Sequence, residues 1–389
     1  MEEFKSYKLS EVANLSTGFP FDGSKYSKSG IRVVRGDNVT IGSLRWDSEK
    51  LKCWSEPFSR AKEYSLQDGD IVIGMDGSRV GRNRAQISES DLPLLLAQRV
   101  ACIRHNEKSV QDYLYYLIFN ERFVDYVKSV QTGTSIPHIS LKQIGDYEVQ
   151  LPSIERQKSI CRVLKSLDEK IVLNNRINHN LLNVAQEIFD SEVARIHSYT
   201  DSYKKSSLLG IADYLNGVAM QKYPTLGSED GLPVLKIKEL GQQFCDSTSD
   251  RCTKNIPDQY VVHDGDIVFS WSGTLLVDFW CGGECGLNQH LFKVSARGYP
   301  AWFAFFWTKH HLDRFIRIAK DKAVTMGHIK RSDLGKAEVY VPDEDSLRTI
   351  DSIIDPLVAE FIGRRVETRE LQLLRDSLLP ELMTGHLTC

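Results

Sequence analysis

The chain has 389 residues, 41% of them hydrophobic and 26% charged, with 49 Lys plus Arg against 52 Asp plus Glu for a formal net charge of -3. That length exceeds one ordinary core and suits two domains, and the composition is that of a globular protein. No run approaches the roughly 20 apolar residues that cross a bilayer, and the balanced charge leaves nucleic acid as a partner only where positive side chains are concentrated locally.

The opening "MEEFKSYKLSEV" is charged and carries no targeting stretch, so a cytoplasmic protein is expected. The 8 cysteines are scattered, which suits reduced thiols. Cys281 and Cys285 in "WCGGECGLNQH" are the one close pair. A zinc site needs a second ligand pair, and only His290 or Cys245 could be improvised for it, so small buried residues in a Gly-rich turn are expected.

In chain order, "LSEVANLSTG" leads into a segment carrying Arg32 and Arg35. "DGDIVIGMDGSRVG", from Asp68, reads as an Asp-Gly turn, a β-branched strand and a Gly-bearing polar loop. The loop "GSRVGRNRA" concentrates Arg79, Arg82, Asn83 and Arg84, the most persuasive basic patch in the chain. "LAQRVACIR" is an alternating strand with Gln98 and Arg99 at its start. "SVQDYLYYLIFNERFVDYVKSV" then predicts a helical stretch capped by Ser109, its aromatics at core spacing rather than forming a stacking platform. From Thr132 to Ile160 a small polar loop with His138 turns into a strand, a proline and a helix.

The second half repeats these moves. "LLGIADYLNG" matches the first segment, with Ala212 and Gly217 for Ala13 and Gly18. "DGDIVFSWSGTLLV", from Asp264, matches the turn, strand and loop, and "LNQHLFKVS" matches the next strand, with Gln289 for Gln98. "YPAWFAFFWTKHHLDRFIRIAK", opened by Pro300, is the second aromatic helical stretch, and Lys322 to Ile350 repeats the junction. Here Lys236, Lys238, Ser272, Thr274, Gln289, His290, Lys330 and Arg331 occupy places comparable to the candidates of the first half.

A shorter helix and then a long helical tract are expected after each proline. Ser166 and Glu169 read as a capping box opening the first tract, and Asp355 with Pro356 opens the second. Apolar residues step by three and four along both, at Ile160, Leu164, Leu167, Ile171, Leu181 and Ile188, and at Ile350, Ile354, Leu357, Phe361, Leu371, Leu378 and Leu382. The middle of the seam is polar, with Asn174 and Asn178 against Arg364 and Thr368. A two-fold relation between the halves requires the tracts to run antiparallel. A helix of about 30 residues spans about 45 Å, which suits a partner with a linear repeat such as duplex DNA, whose groove returns about every 34–36 Å. Arginine suits guanine O6 and N7, and Asn and Gln suit adenine.

No dinucleotide loop, phosphate loop, H-E-x-x-H helix or G-x-S-x-G elbow is present, and an Asp-Gly turn accounts for the carboxylate pairs Asp68/Asp70 and Asp264/Asp266. A recogniser without catalytic residues or metal is expected. A protein-interaction scaffold is the alternative, and a nuclease or methyltransferase built on the Asp pairs ranks last.

With "SIPHISLKQIGDYEVQLPSIERQKSI", "SLDEKIVLNNRIN", "LNQHLFKV" and "LLPELMTGHL", nearly the whole chain resembles the DNA-specificity subunits of Type I restriction-modification systems. The resemblance implies an α+β chain with target-recognition domains at 1–152 and 201–342 and spacer helix regions at 153–200 and 343–389, the helices pairing antiparallel as a coiled coil. It implies no cofactor in this chain. Two modification subunits would carry S-adenosylmethionine and methylate adenine, and two restriction subunits would use ATP and Mg. The DNA site would be split and asymmetric, one domain reading each half.

Overall fold

The computed structural model describes residues 4–133, 135–196, 203–225, 230–321 and 327–387. Thr134 of the first junction and residues 322–326 of the second lie outside the described residues. By packing, the chain divides into one unit of Met1–Leu167 with Leu374–Cys389 and a second of Asp168–Leu373.

The strands of the first unit are β1 Lys5–Lys8, β2 Ala13–Thr17, β3 Ile31–Val34, β4 Cys53–Trp54, β5 Ile71–Gly74, β6 Arg84–Gln86, β7 Leu94–Leu96, β8 Val100–His105 and β9 Glu148–Leu151. A four-stranded antiparallel sheet runs β2-β8-β5-β6, and a three-stranded sheet runs β4-β3-β7 with β3 and β7 parallel. Every residue of "IVIG" in β5 is buried because both faces of the sheet are covered. Ile71 and Ile73 join a core with Tyr113, Phe123, Ile160 and Leu164, while Val72 faces a second cluster with Val34, Leu94 and Leu96.

The second unit has the same plan. Its strands are β10 Tyr203–Ser207, β11 Ala212–Asn216, β12 Leu232–Leu235, β13 Arg251–Cys252, β14 Val261–Val262, β15 Ile267–Ser270, β16 Leu276–Phe279, β17 Cys285–Leu287, β18 Leu291–Ala296 and β19 Glu338–Pro342. The sheet β11-β18-β15-β16 reproduces β2-β8-β5-β6, and the small sheet β13-β12-β17-β14 again contains one parallel pair, β12 with β17. Ile267 and Phe269 pack with Trp302, Phe305, Phe306 and Phe315 on one face, and Val268 with Leu235 and Leu287 on the other. The aromatics of both helical stretches are therefore core.

The repeated junction has a plain structural role. Its strand closes the unit by pairing antiparallel with the first strand, β9 with β1 and β19 with β10. The proline ends that strand, and the long helix follows at once.

Four local expectations are corrected. The helix after Ser109 starts at Gln111, and the Ser109 hydroxyl donates instead to the Val12 carbonyl at 2.6 Å. That stretch is two helices, Gln111–Ile118 and Glu121–Val130, because the Asn120 side chain caps the second by accepting from Phe123 N at 3.1 Å. The tract after Pro152 is one helix, Ile154–Ile196, in which Ser166 donates back to the Val163 carbonyl at 2.7 Å rather than capping. The second tract is likewise continuous from Glu344 to Thr384. Asp343 caps it by accepting from Ser346 N at 2.9 Å, and Pro356 rides inside at the cost of one backbone donor.

Within the second unit the two long helices run antiparallel, since Lys170 meets Glu367 while Asn174, further along, meets Arg364. The polar middle falls where the sequence puts it. Asn174 is fully buried, accepts from Arg364 Nη1 at 3.1 Å and donates to Glu367 at 2.8 Å. Asn178 is also buried, and Thr368 bonds back to the Arg364 carbonyl at 2.7 Å. The most buried residues of this part of the first helix are Ala185 and Phe189 rather than Leu181 and Ile188, because that face turns toward Phe306 and Trp307 of its own unit.

Candidate nucleic-acid interface

In each unit two loops are brought to one edge of the four-stranded sheet: the loop after the Asp-Gly strand and the turn entering the strand that follows the shared glutamine. The turn is held by a close crossing. Phe19 pairs with Ala97 and Val218 with Asn288, and a Cβ on Gly18 would lie 2.1 Å from the Leu96 carbonyl oxygen, one on Gly217 2.2 Å from that of Asn288. Only glycine permits this approach. It presents Gln98 with Arg99, and Gln289 with His290, at corresponding places.

In the first unit these loops border a groove of about 600 Å³ lined by Arg35, Arg79, Asn83, Gln98 and Arg99 among the predicted residues. Arg45, Asp37 and Asp76 line it too, so four arginines face two aspartates and the groove is locally positive in a chain that is nearly neutral. Its aromatic wall is Phe19, Phe21 and Tyr26, and Arg35 lies 5.7 Å from the Tyr26 ring centroid. Asp76 accepts from Arg99 Nη1 at 3.2 Å and also contacts His138, which thereby joins the site.

Other predicted residues are placed elsewhere. The Arg84 side chain is buried, donates to the Gly81 carbonyl at 2.8 Å and covers the Phe119 ring, and burial lowers its pKa. It belongs to the core and does not reach the groove, contrary to the expectation from sequence. Arg82 makes a bidentate pair with Glu121 at 3.0 and 2.8 Å and does not line the groove. Arg32 donates to the Asp91 carbonyl and stacks over Trp46, which makes it a brace for the small sheet.

In the second unit Ser272 is buried and its hydroxyl lies 3.0 Å from His290 Nδ1. Gln289 is beside it in sequence, with its side-chain oxygen buried and without a partner among the described residues. Thr274 is exposed on the same loop as Ser272. Lys236 pairs with Asp250, Lys238 with Asp246 at 3.1 Å, and Arg331 donates to the Tyr214 carbonyl at 2.9 Å, so these three serve local structure. Lys330 is exposed beside the short helix Arg331–Gly335.

Sequence reasoning missed Asp76, Arg45, the Phe19/Phe21/Tyr26 wall, Trp271 and His328. Trp271 donates to Asn216 at 2.9 Å and lies 6.3 Å from the His328 ring. Laying "GMDGS" over "SWSGT" residue by residue would have found Asp76, which falls opposite the candidate Ser272, whereas Trp271 falls opposite Met75 and carried no such signal.

Three of the four carboxylates of the Asp-Gly turns are spent on structure, and Asp68 is exposed. Asp70 is buried in a bidentate pair with Arg104 at 2.7 and 2.6 Å, Asp266 pairs with Lys293 at 2.7 Å, and Asp264 with Arg369 at 2.7 Å. Cys281 and Cys285 are buried free thiols whose pKa burial raises, for Cys281 to about 11. Among the described residues no His/Cys/Asp/Glu group is placed to hold a metal, and no helix is long and apolar enough to cross a membrane.

Residues 1–183 match the family described as the Type I restriction modification DNA specificity domain. The chain is 25% identical over 355 residues, 84% of it and 81% of the relative, to the Type I restriction enzyme MjaIX specificity subunit of Methanocaldococcus jannaschii. With the Escherichia coli EcoAI specificity subunit it shares 28% identity over 183 residues, 46% of this chain and 30% of that one. A crystal structure of a Type I system S subunit from M. genitalium has the same fold, with a TM-score of 0.61 at 14% identity over 98% of this chain and 96% of that one. The fold and the paired loops define an α+β chain in which two modules are built on one framework. Over residues 1–183 the chain matches the DNA specificity domain family, and over most of its length it is similar to specificity subunits of Type I restriction-modification systems.

Proposed function

We propose that this chain reads a split, asymmetric DNA site, one unit per half-site, for a Type I restriction-modification complex. The observation that supports it is the duplication itself: one framework built twice, with different side chains at the same loop positions. Such a pair suits a duplex whose two half-sites differ. The long helices fix the unread gap through their constant rise per residue.

In this reading the chain is cytoplasmic, carries no cofactor and assembles with two modification subunits and two restriction subunits. The former supply S-adenosylmethionine and methylate a flipped adenine, and the latter supply ATP-driven motor and nuclease activity. Phosphate contacts from the positive groove give affinity, and the loop residues give selectivity.

Fluorescence anisotropy with labelled duplex, in the presence of the modification subunit, tests this reading. Binding is expected to weaken linearly on a log–log salt plot as counterions are released, and to favour cognate over scrambled duplex. A signal that stays flat with every duplex favours a protein-only scaffold.

A further inference from the structure

We propose that Arg99 reads a guanine in the half-site of the first unit, with Asp76 as its positioning residue, and that His290 and Ser272 hold the same two positions in the second unit. The assignment rests on the DNA-reading function proposed above and goes beyond it by naming the residue and the base.

The first support is a backbone frame shared bond for bond. Met75 N donates to the Arg99 carbonyl at 3.1 Å, and Trp271 N to the His290 carbonyl at 3.4 Å. Ile139 N donates to Met75 O at 2.9 Å, and Ile329 N to Trp271 O at 3.1 Å. Gly77 N donates to Pro137 O at 2.9 Å, and Gly273 N to Gly327 O at 3.0 Å. The bridges Asp76 to His138 and Ser272 to His328 complete the match. On this common frame the loop residue touches the residue after the glutamine in both units: Asp76 to Arg99, and Ser272 to His290 at 3.0 Å. A scaffold that is kept while the pair upon it changes is what two readers of different sequences require.

The second support is the backbone of Arg99, at φ 66. A side chain other than glycine is costly in that left-handed region. The Arg99 side chain is 70% exposed, so little burial offsets the cost, and structure alone would favour glycine here. The position nevertheless holds an arginine with its guanidinium directed to the groove.

The third support distinguishes a base from a phosphate. Asp76 takes Arg99 Nη1 at 3.2 Å, which orients the fork and leaves the Nε and Nη2 donors of its other edge. Two parallel donors match guanine O6 and N7. The same carboxylate would repel a phosphate brought to that guanidinium, whereas a neutral base edge carries no such penalty.

The test uses the chain assembled with its modification subunits and compares methylation of duplexes that differ at single base pairs. Arg99→Gly is the main variant, because glycine accepts the left-handed backbone and keeps the fold. Wild type is expected to require one G·C pair in one half-site. Arg99→Gly should lose discrimination at that pair by about 10- to 100-fold, the selectivity of a bidentate arginine–guanine contact, while the other half-site and the gap stay fixed. Asp76→Ala should relax the same pair, Asp76→Glu should restore much of it, and His290→Ala should relax only the opposite half. Unchanged selectivity in Arg99→Gly, or a loss that is equal on all duplexes, overturns the assignment while leaving the DNA-reading function standing. A wild-type complex that methylates no split motif sinks that function and this assignment with it.

Discussion

Gly18 and Gly217 stand where one strand end crosses the turn that displays Gln98 and Gln289, and any Cβ there would overlap a backbone carbonyl. Gly18→Ala and Gly217→Ala should each destabilise the protein by about 2 kcal/mol or more, because backbone rather than a flexible side chain must move. Urea denaturation of the two variants checks this, and midpoints equal to wild type would show that the crossing tolerates a methyl group. Both glycines were legible as repeat partners, since they end matching segments, but their reason was not, because the crossing joins residues far apart in sequence. The same limit explains Arg84. In "GSRVGRNRA" it looks like its neighbours, yet it starts β6, so alternation along the strand turns it inward onto Phe119 while Asn83 lines the groove. Asp76 went unread for the opposite reason: a lone Asp beside Gly has an ordinary turn explanation, and only the fold brings Arg99 and His138 to it.

At the scale of the element, the long helices show how far periodicity carries. The polar seam was readable because Asn174 and Asn178 interrupt an apolar series at the three–four spacing. The partners were only partly readable, since Glu367 enters from an adjoining position to take the Asn174 amide. The two asparagines are in different states. Asn174 bonds to both Arg364 and Glu367, whereas the amide nitrogen and oxygen of buried Asn178 have no partner among the described residues. Asn178→Leu should therefore stabilise the protein by about 1 kcal/mol, and Asn174→Leu should destabilise it by about 2 kcal/mol by stranding charged partners. Thermal melting separates the outcomes. Equal effects from the two substitutions would mean that the seam does not distinguish the positions. The helix starts were misread because Ser166 and Asp355-Pro356 carry start signals that a helix already under way overrides, whereas Asp343 supplies the working cap.

For the whole molecule, duplication was the most legible feature, because the junction, the Asp-Gly strand and the glutamine strand keep both composition and order. The sheet orders β2-β8-β5-β6 and β11-β18-β15-β16 are its three-dimensional form. What stayed hidden was which side chains meet at each loop, because the loop sequences differ between the halves and their neighbours come from three separate segments. A chain with two reading modules on one frame should specify two different half-sites at one fixed separation. The most direct measurement is long-read sequencing of methylated adenine in cells with and without the gene. Loss of a single split, asymmetric motif on removal of the gene is the predicted result, and a methylation pattern that does not change would contradict the account.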